Sequence, residues 1–462
     1  MIYLDYSATT PINKEVLDTY NRVSLDFIGN PNSLHKLGIE TSSLIAASTK
    51  QISEILGVSY NEIIYTSGAS ESNNMAIKGI ALKYANRGKH IITTKFEHSS
   101  IYGPISYLQS LGYDVDFVET NEFGVIETGS LKNLLREDTI LVTISSVNSE
   151  TGLKQPVEEF AKMLKEYPKC FFHVDATQSI GKEKINIENI DLVSFTAHKF
   201  YGPKGIGVLV KKEKIDIIPL IHGGKSTTSY RSGTPVASLI ASLAKSIRLA
   251  NIDIKKRYEH VKELNAYLKE HLKKYDRVHI NSNDYCLPHM LNFSVIDVKP
   301  ETMQHALEEY DIYISTQTAC STGSVSVAVK ALTNNDSYAT SSLRLSLSYL
   351  STKEECDMFL KAFDECYNKL TNLRWSMKIV RISAIWCPAC IVMKKVWKNI
   401  EEKYSDIEYA DLDYDMDEDE VTTLNVGSLL PVSIFYKDDK EIYRLNGEKK
   451  EEEITNIIKE VL

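Results

Sequence analysis

The chain has 462 residues, too many for one ordinary hydrophobic core, so we expect two or three domains. Its composition, 43% hydrophobic and 25% charged, is that of a globular protein, and its net charge of −9 argues against nucleic acid as the main partner. No apolar segment approaches the ~20 residues that span a bilayer, and the first residues show no signal peptide. We therefore expect a cytoplasmic protein without a membrane partner, in which seven cysteines do not form a disulfide framework.

Short β-branched segments alternate with amphipathic helical windows over the first 210 residues. Strands are predicted at 62–67, 90–94, 114–118, 139–147, 170–176, 191–197 and 205–210. An intervening helix that starts after Pro156 would place four apolar residues on one face: Val157, Phe160, Ala161 and Leu164. This alternation predicts an α/β fold with a mostly parallel sheet, in which ligands lie at the carboxyl ends of the strands.

The pattern changes after about residue 226. A long helical stretch is predicted over roughly 235–276, and a mixed region continues to about 372, which indicates a second, smaller domain. From Met377 to the end there are 12 basic and 19 acidic residues, a net charge of −7, which supports a domain boundary just before Met377. We interpret the densest acidic run, at 411–420, as a solvated surface rather than a cation site.

Polar residues follow four of the predicted strands at the end where a ligand would bind. Taken alone, a lysine is usually a solvated charge and an aspartate is usually a helix cap. Together, a lysine that can form a Schiff base, a carboxylate that keeps a pyridine nitrogen protonated, a ring that covers a cofactor and a helix N-terminus for a phosphate meet the requirements of a pyridoxal-phosphate enzyme. The residues concerned are Gly68, Ser70, His98, Asp175, Gln178, His198 and Lys199.

Seven motifs in chain order closely resemble those of cysteine desulfurases of the class V aminotransferase family. They are YLDYSATTP (3–11), GNPNSLH (29–35), TSGASESNN (66–74), HVDATQSIGK (173–182), SFTAHKFYGPKGIG (194–207), HGG…RSGT (222–234) and SSLRLSLS (341–348). The resemblance covers about residues 1–372. It implies the pyridoxal-phosphate transferase fold of type I, with a seven-stranded, mostly parallel sheet in a large domain at about 15–254. A small domain would comprise about 1–14 and 255–372.

The resemblance also implies a role for individual residues. Lys199 would bind the pyridoxal 5'-phosphate and remove the substrate's α-proton, Asp175 would pair with the pyridine nitrogen, and Gln178 with the ring hydroxyl. His98 would stack on the ring, and Arg344 would bind the carboxylate of L-cysteine. The remaining contacts are predicted from Gly68, Ala69, Ser70, Thr196 and His198 to the phosphate, from Asn148 and Ser149 to the cofactor, from Asn148 and His35 to the substrate, and from Thr234 to the phosphate of the neighbouring subunit in a homodimer.

Two positions depart from the family pattern. Ser149 stands where the family often has a second asparagine after Asn148, and Ser70 stands where threonine is common. Both replacements keep hydrogen-bonding groups. We therefore expect them to affect the tuning of the cofactor and not its binding.

The predicted nucleophile is Cys320, in the small-residue segment STQTACSTGSVSVAV upstream of Arg344. The alternative is a buried structural thiol, which the accompanying motifs disfavour. The long segment between Cys320 and Arg344 resembles the branch of the family that serves iron–sulfur assembly. Cys320 would take sulfur from cysteine as a persulfide and release alanine. Four further cysteines without partner spacing are predicted to be packing residues: Cys170, Cys286, Cys356 and Cys366.

The last 86 residues carry a second kind of motif. MKIVRISAIWCPAC reads as a strand, a loop and a helix that begins at Cys387 and Cys390, and Pro431 precedes a β-rich run. This resembles a short thioredoxin-like domain over 377–462, joined by a linker at 373–376. Pro431 matches that family's cis-proline. Arg381 falls about where thioredoxins keep a buried aspartate, and it either lowers the thiol pKa or points outward.

The two motifs together suggest a chemical link. Cys387 would attack the persulfide on Cys320 and Cys390 would resolve it, with a thioredoxin reductase-type protein as the electron donor. The alternative is that the terminal domain serves another protein. The expected sulfur acceptor is an iron–sulfur scaffold or a tRNA-thiolation protein. Rival functions are selenocysteine lysis and a redox-sensing or sulfur-carrier scaffold.

Overall fold

The computed structural model describes residues 1–316, 325–371, 377–404, 407–427, 429–437 and 440–461. It divides into two compact units, an N-terminal unit of Met1–Cys366 and a C-terminal unit of Tyr367–Leu462. The linker predicted at 373–376 lies outside the described residues. No helix in the described ranges is long and apolar enough to cross a membrane.

The seven strands predicted from the sequence are all present and, within the described residues, form one sheet. The strands of the N-terminal unit are β1 (Ile2–Tyr3), β2 (Ile63–Thr66), β3 (His90–Thr93), β4 (Asp114–Phe117), β5 (Thr139–Ser145), β6 (Phe171–Asp175), β7 (Leu192–Thr196), β8 (Gly207–Lys211), β9 (Val278–Ile280), β10 (Met290–Val295), β11 (Ile312–Tyr313) and β12 (Ser342–Ser346). The large sheet has the order β2-β8-β7-β6-β5-β3-β4. Strand β8 runs antiparallel to both of its neighbours, and the other pairs are parallel.

Helices cover both faces of this sheet, and other helices pack on the strands of the small domain. The described helices that begin in the N-terminal unit are α1 (Lys14–Asp26), α2 (Lys36–Leu56), α3 (Ala69–Lys83), α4 (Ser99–Ser110), α5 (Thr128–Leu134), α6 (Val157–Leu164), α7 (Ala237–Asn251), α8 (Ile254–Leu272), α9 (Pro300–Glu308), α10 (Val327–Thr333), α11 (Asp336–Thr340) and α12 (Lys353–Thr371). Helix α6 buries the four apolar residues predicted for its inner face. The stretch predicted as one helix over 235–276 is two helices, because Asp253 has a left-handed backbone (φ 53°) that interrupts the helical geometry.

Alternation along the central strands explains the two-sided core. Leu141 of β5 belongs to a cluster with residues of α3 and α4, whereas Val142 and Ile144 belong to a cluster with residues of α2, α6 and α7. Successive side chains of a strand point to opposite faces, so a strand that is buried on both faces carries apolar residues on both of them. All seven residues of β5 are buried.

A second sheet, with the order β12-β10-β9, carries the small domain. The N-terminal segment joins it, because β1 pairs with β11 and Asp5 forms a bridge with Ser346 at the end of β12. The chain start is thereby placed between this sheet and the large one, since Thr10 is bonded to the backbone of His198.

The C-terminal unit is a small α/β domain. Its described strands are β13 (Met377–Ser383), β14 (Glu408–Asp413), β15 (Val432–Lys437) and β16 (Lys440–Asn446), in the order β14-β13-β15-β16. Strands β13 and β14 are parallel, and the other pairs are antiparallel. The helices are α13 (Pro388–Lys403), α14 (Glu418–Thr423) and α15 (Glu451–Val461).

Candidate active site

The carboxyl ends of β2, β5, β6 and β7 open onto a cavity of about 510 Å³, as expected for this type of sheet. Predicted residues from six separate segments of the chain line it together. They are Gly68, Ala69, Ser70, His98, Ser149, Asp175, Gln178, Thr196, His198, Lys199 and Arg344.

Lys199 lies in a short 3₁₀ helix directly after β7. Its Nζ donates hydrogen bonds to the backbone oxygens of Ser7 (2.6 Å) and Ala8 (2.8 Å). The backbone just beyond it is constrained, because Tyr201 has φ +64°, a conformation that a bulky residue rarely adopts, and its N–H donates to Oγ1 of Thr10. The N-terminal segment thus holds the lysine in place. Sequence reasoning missed this, since backbone oxygens leave no signal in residue types.

Asp175 is the last residue of β6, and its carboxylate is buried in the cavity wall. Oδ2 accepts a hydrogen bond from Nδ2 of Asn73 (2.8 Å), and Oδ1 accepts one from the N–H of Thr177 (2.9 Å). Asn73 is itself fully buried on α3 and was not predicted as a functional residue. Its only sequence signal is a polar residue on the helix face that meets the sheet.

His98 forms the N-cap of α4, where its Nδ1 accepts a hydrogen bond from the N–H of Ser100. Nδ1 also lies 2.9 Å from Oγ of Ser100, and that hydroxyl accepts a hydrogen bond from Asn73. The hydroxyl proton therefore points to Nδ1, which assigns the ring proton to Nε2. Burial lowers the pKa of His98, so the ring is neutral.

Glu97, next to His98, is a buried carboxyl group that the sequence did not single out. Its oxygens accept hydrogen bonds from Oγ1 of Thr94 and from both the N–H and the Oγ of Ser145. Ser145 lines the cavity at the end of β5. Burial raises the pKa of Glu97 to about 7. The hydrogen bonds of Glu97 to Ser145 connect the loop that carries His98 to strand β5.

Arg344, on β12, is only 2% exposed and forms the far wall of the cavity. Its Nη2 lies 2.7 Å from Oδ1 of Asp5, and its Nη1 donates to the backbone oxygen of Ser149 (3.0 Å). Nε is buried and has no hydrogen-bond partner among the described residues. A buried N–H donor without a partner is costly, so this guanidinium is suited to an anionic ligand.

The N-terminus of α3 and the loop after β7 form the remaining side. Gly68 precedes the helix, and Gly207 lies so close to it that an added Cβ would sit 2.7 Å from the backbone of Gly68. Thr196 donates its hydroxyl to the backbone oxygen of Ile206. Burial, followed by the nearby charge of Lys199, lowers the pKa of His198 to about 4. Backbone N–H groups at a helix start and neutral side-chain donors favour a phosphate here.

Three predicted site residues do not line this cavity. Asn148 is buried, but its amide is used locally: Oδ1 accepts from Glu150 and Thr151, and Nδ2 donates to the backbone oxygen of Phe96. His35 is exposed and forms the N-cap of α2. Thr234 is exposed as well. Within one chain, the expected contacts of Asn148, His35 and Thr234 are therefore absent from the described cavity.

Cys320 lies outside the described residues, but the chain on both sides of 317–324 is held near the cavity. Before it, Ser315 forms a two-way backbone bridge with Arg344. After it, Oγ of Ser326 donates to Oε2 of Glu150, which is adjacent to Ser149. Of the four cysteines predicted as packing residues, Cys170, Cys356 and Cys366 are buried and Cys286 is partly buried.

The C-terminal unit pairs Cys387 with Cys390 in a disulfide at the start of α13. Cys387 is the N-cap residue, and its Sγ accepts a hydrogen bond from the N–H of Cys390 (3.2 Å). A helix N-terminus stabilises a thiolate at this position. Pro431 follows a cis peptide bond and lines one cavity together with Cys390. In the described ranges no group of three His, Cys, Asp or Glu side chains could hold a metal ion.

Arg381 lines the same cavity but does not act as an isolated cation. It forms two hydrogen bonds of 2.7 Å to the carboxylate of Asp411 on the neighbouring strand and one of 2.5 Å to Glu401. Its guanidinium also lies over the rings of Trp397 and Tyr409. Because two carboxylates surround one cation, the cluster provides no net positive charge to the thiols.

Two family models match the chain, in chain order. The class-V aminotransferase model matches residues 2–359, and the thioredoxin model matches residues 360–460. The two matches meet close to the point where the structure divides into its two units.

Named relatives and solved structures cover the N-terminal unit. A NifS/IcsS protein homolog of Lactobacillus delbrueckii is 40% identical over 381 residues, which are 81% of this chain and 99% of that protein. The cysteine desulfurase IscS of Dictyoglomus turgidum is 37% identical over 378 residues, 80% of this chain and 96% of that protein. A solved NifS-like protein superimposes with a TM-score of 0.75 at 34% identity, over 80% of this chain and all of that one. A NifS-like protein from Rickettsia africae gives 0.72 at 30% identity, over 80% of this chain and 99% of that one.

Proposed function

The chain belongs to the class V aminotransferase family and is a cysteine desulfurase, and we propose that its catalytic centre is the cavity around Lys199. The observation that carries this proposal is the convergence of Lys199, Asp175, His98 and Arg344 on one cavity. The overall reaction would convert L-cysteine and the thiol of Cys320 into L-alanine and a persulfide on Cys320.

Enzymes of this family depend on pyridoxal phosphate, and the residues present fit that group. A buried carboxylate, Asp175, is available for a protonated pyridine nitrogen, and the start of α3 is available for the phosphate. Gln178, which lines the cavity, is available for the ring hydroxyl. When bound, the cofactor supplies an electron sink that weakens bonds at the substrate's α-carbon.

The chain's own groups would then divide the work. Lys199 would hold the cofactor and move the α-proton at its Nζ, since an amine in this setting is a competent base. The neutral ring of His98 would cover the cofactor's face. Arg344 would bind the carboxylate of cysteine through the Nε–H that now lacks a partner.

Two described anchors support Cys320 as the acceptor of sulfur. Ser315, before the segment 317–324, bridges to Arg344 of the cavity lining, and Ser326, after it, bonds to Glu150, the neighbour of the lining residue Ser149. Four residues of chain span at most about 14 Å, which sets an upper limit on the distance of Cys320 from Thr316.

The experiment that tests the proposal compares three variants of the full chain. Lys199→Ala should lose both the visible absorbance band and the formation of alanine from L-cysteine. Cys320→Ser should keep the band but transfer no sulfur, whereas Cys286→Ser, at a partly buried thiol outside the cavity, should behave as wild type. Sustained alanine formation by Cys320→Ser would contradict the assignment of the nucleophile.

We further propose a homodimer in which His35 and Thr234 contribute to the partner subunit's cavity. Both residues are exposed and lie outside their own cavity. Large apolar side chains near His35 are also exposed, among them Ile28 at 74% and Leu34 at 93%. Exposed apolar side chains that lie together in this way indicate a surface that another protein chain covers.

For the C-terminal dithiol we propose reduction of the persulfide. Cys387 would attack it and Cys390 would resolve, so that Cys320 regains its thiol, sulfide leaves and the Cys387–Cys390 disulfide forms. A disulfide reductase would then restore the dithiol. A covalent connection of the two units would supply a high effective concentration if the linker at 373–376 lets the dithiol reach Cys320. The alternative is that the tail serves another protein and is merely tethered. The sulfur that is not released as sulfide would pass from Cys320 to an iron–sulfur scaffold or a tRNA-thiolation protein.

The test measures sulfide and alanine release from L-cysteine with NADPH, thioredoxin reductase and no other thiol. Repeated turnover by the wild type, but not by the Cys387→Ser/Cys390→Ser double variant, would support a built-in persulfide reductase. If both proteins stop after about one alanine per site, the tail serves another partner. The cytoplasm, where such reductases operate, is the proposed location.

A further inference from the structure

Lys182 is a buried lysine close to the proposed catalytic centre, and the proposed mechanism gives it no role. It is 8% exposed, in the loop after β6. Burial lowers the pKa of its ammonium well below the usual range. Burying a lysine disfavours folding unless its amine is hydrogen-bonded, so its contacts should explain its presence.

The contact of Lys182 is with the side chain of Gln178. Its Nζ donates a hydrogen bond to Oε1 of Gln178, and Nε2 of the same amide donates to the backbone oxygen of Ser7 (3.0 Å). That oxygen also accepts a hydrogen bond from Nζ of Lys199 (2.6 Å). The amide is therefore held between a donor on one side and an acceptor on the other.

This arrangement fixes which way the amide faces. A flipped Gln178 would place its oxygen against the carbonyl oxygen of Ser7, and that hydrogen bond would be lost. Its NH₂ group would face the amine of Lys182, where an ammonium could not accept a hydrogen bond and a neutral amine could accept one only through its single lone pair. In the observed orientation one N–H is used by Ser7, and the amide keeps a second N–H to donate.

We propose that Lys182 is a positioning residue that makes Gln178 a hydrogen-bond donor toward the cofactor. The inference rests on the proposed function, in which Gln178 meets the ring hydroxyl of pyridoxal phosphate. A donor stabilises the deprotonated, negative form of that oxygen, whereas a flipped amide would stabilise the protonated form. Lys182 thereby lowers the apparent pKa at which the visible band of the bound cofactor titrates.

The charged groups around Lys182 define the competing explanation. Lys199 and Arg344 lie near it with the same sign of charge, Glu183 has the opposite sign, and His289 is a buried neutral ring. A cation at Lys182 could act on the cofactor directly through its field, without Gln178. A double-mutant cycle separates the two routes.

The experiment titrates the visible absorbance of the purified holoenzyme with pH. Lys182→Met should raise the apparent pKa by about one unit, the equivalent of one neutral hydrogen bond. Gln178→Met should give a similar rise, and adding Lys182→Met to it should give no further rise. The proposal would be overturned if Lys182→Met shifted the apparent pKa equally in the wild type and in Gln178→Met. It would also be overturned if Lys182→Met caused no shift.

Two further proteins complete the design. Lys182→Gln keeps a hydrogen-bond donor without a charge, so its visible band should titrate like that of the wild type. A rise in its apparent pKa as large as that of Gln178→Met would overturn the proposal, even if Lys182→Met fails to fold. Lys154→Met is the matched control, because Lys154 pairs with Glu183 and does not contact Gln178. A wild type without any visible band would refute the proposed function itself, which is a distinct result.

Discussion

Nδ2 of Asn73 lies 2.8 Å from Oδ2 of Asp175, and the same amide nitrogen lies 2.9 Å from Oγ of Ser100, which contacts His98. One buried amide on α3 therefore orients both the carboxylate and the ring that are proposed to contact the cofactor. Side chains that are fixed in this way need no rearrangement when the ligand binds.

Asn73→Leu should consequently weaken cofactor binding. A hydrogen bond to a charged group contributes about 1.5–3 kcal/mol, so the Kd for pyridoxal phosphate should rise by roughly 10- to 100-fold. Titration of the cofactor-free protein measures this. The control is Asn251→Leu, where the amide bonds only to the backbone oxygen of Ile247. An unchanged Kd in Asn73→Leu would show that Asp175 needs no such support.

Arg344→Lys should raise the KM for L-cysteine more than it lowers kcat. Lysine keeps the charge near Asp5 but cannot also bond Ser149 and present a planar fork to a carboxylate. We expect an increase in KM of roughly 10- to 100-fold, with kcat changed by only about threefold, from the loss of the charged Nε–H hydrogen bond to the carboxylate. Arg257→Lys, at a guanidinium that stacks on Tyr349, should leave KM unchanged. A fall in kcat alone would argue against a binding role.

Stability should fall as the pH falls through the range below 6.5. Burial lowers the pKa of His173 to about 4 and that of His289 to about 3, whereas an unfolded histidine titrates near 6.5. Below pH 6.5 the unfolded state binds more protons, so the free energy of unfolding decreases until the folded pKa is reached. Glu97, raised to about 7, opposes this trend between about pH 4.5 and 7.

The variant His289→Met tests the predicted direction in which the free energy of unfolding changes with pH. In the wild type, His289 contributes up to about 1.4 kcal/mol per pH unit to the slope of the free energy of unfolding against pH between about pH 6 and 4. The variant should lack this contribution. Urea unfolding followed by circular dichroism is the measurement, because all three tryptophans lie after residue 374 in the sequence and fluorescence would follow the C-terminal part of the chain. His305→Gln, with a side chain 72% exposed, is the control. Equal slopes in wild type and His289→Met would refute the prediction.

Charges on the exposed apolar surface should dissociate the proposed dimer. Ile28→Glu/Leu34→Glu would bury two carboxylates in an interface, which is unfavourable without a partner. Light scattering after size exclusion should show a monomer. Leu350→Glu, at a half-exposed leucine elsewhere in the same unit, should remain dimeric. A dimer that tolerates both charges would place the interface on another surface.

Arg381→Lys should destabilise the C-terminal unit without changing the reactivity of Cys387. Lysine would lose the paired hydrogen bonds to Asp411 and the stacking on Trp397. We expect a loss of about 1–3 kcal/mol. Tryptophan fluorescence during urea unfolding measures it, and the pH dependence of alkylation of the reduced dithiol measures the thiol. A large shift in that pH dependence would mean that Arg381 does act on Cys387.

Individual residues show which parts of the candidate site could be predicted from the sequence. Lys199, Asp175 and His98 were predicted because each follows a strand and carries a reactive group, and parallel strands bring such positions to one edge. Asn73, Lys182 and Asp5 were missed, since they act by contacting another side chain. The contacts of Asn73 and Asp5 depend on packing across more than 100 residues of chain, which local patterns do not show, whereas Lys182 contacts Gln178 only four residues away, in a loop whose side-chain directions the sequence does not give.

Asn148 shows the converse. The motif around it was found, but its amide is fully used by the turn at 148–151, and only the folded loop reveals this. The same holds for Arg381, where residue type suggested a free cation and the register with Asp411 on β14 supplies a partner.

The sequence by itself determined the order of strands along the chain, the edge of the sheet where the proposed catalytic cavity opens and the separate dithiol unit, because periodicity and motif spacing are properties of neighbouring residues. Only the tertiary structure decided how those groups are held: Ser7 and Ala8 against Lys199, Asn73 against Asp175, Asp5 against Arg344. The reason is physical. A buried polar group must find its hydrogen-bond partner in space, and that partner is set by how distant segments pack.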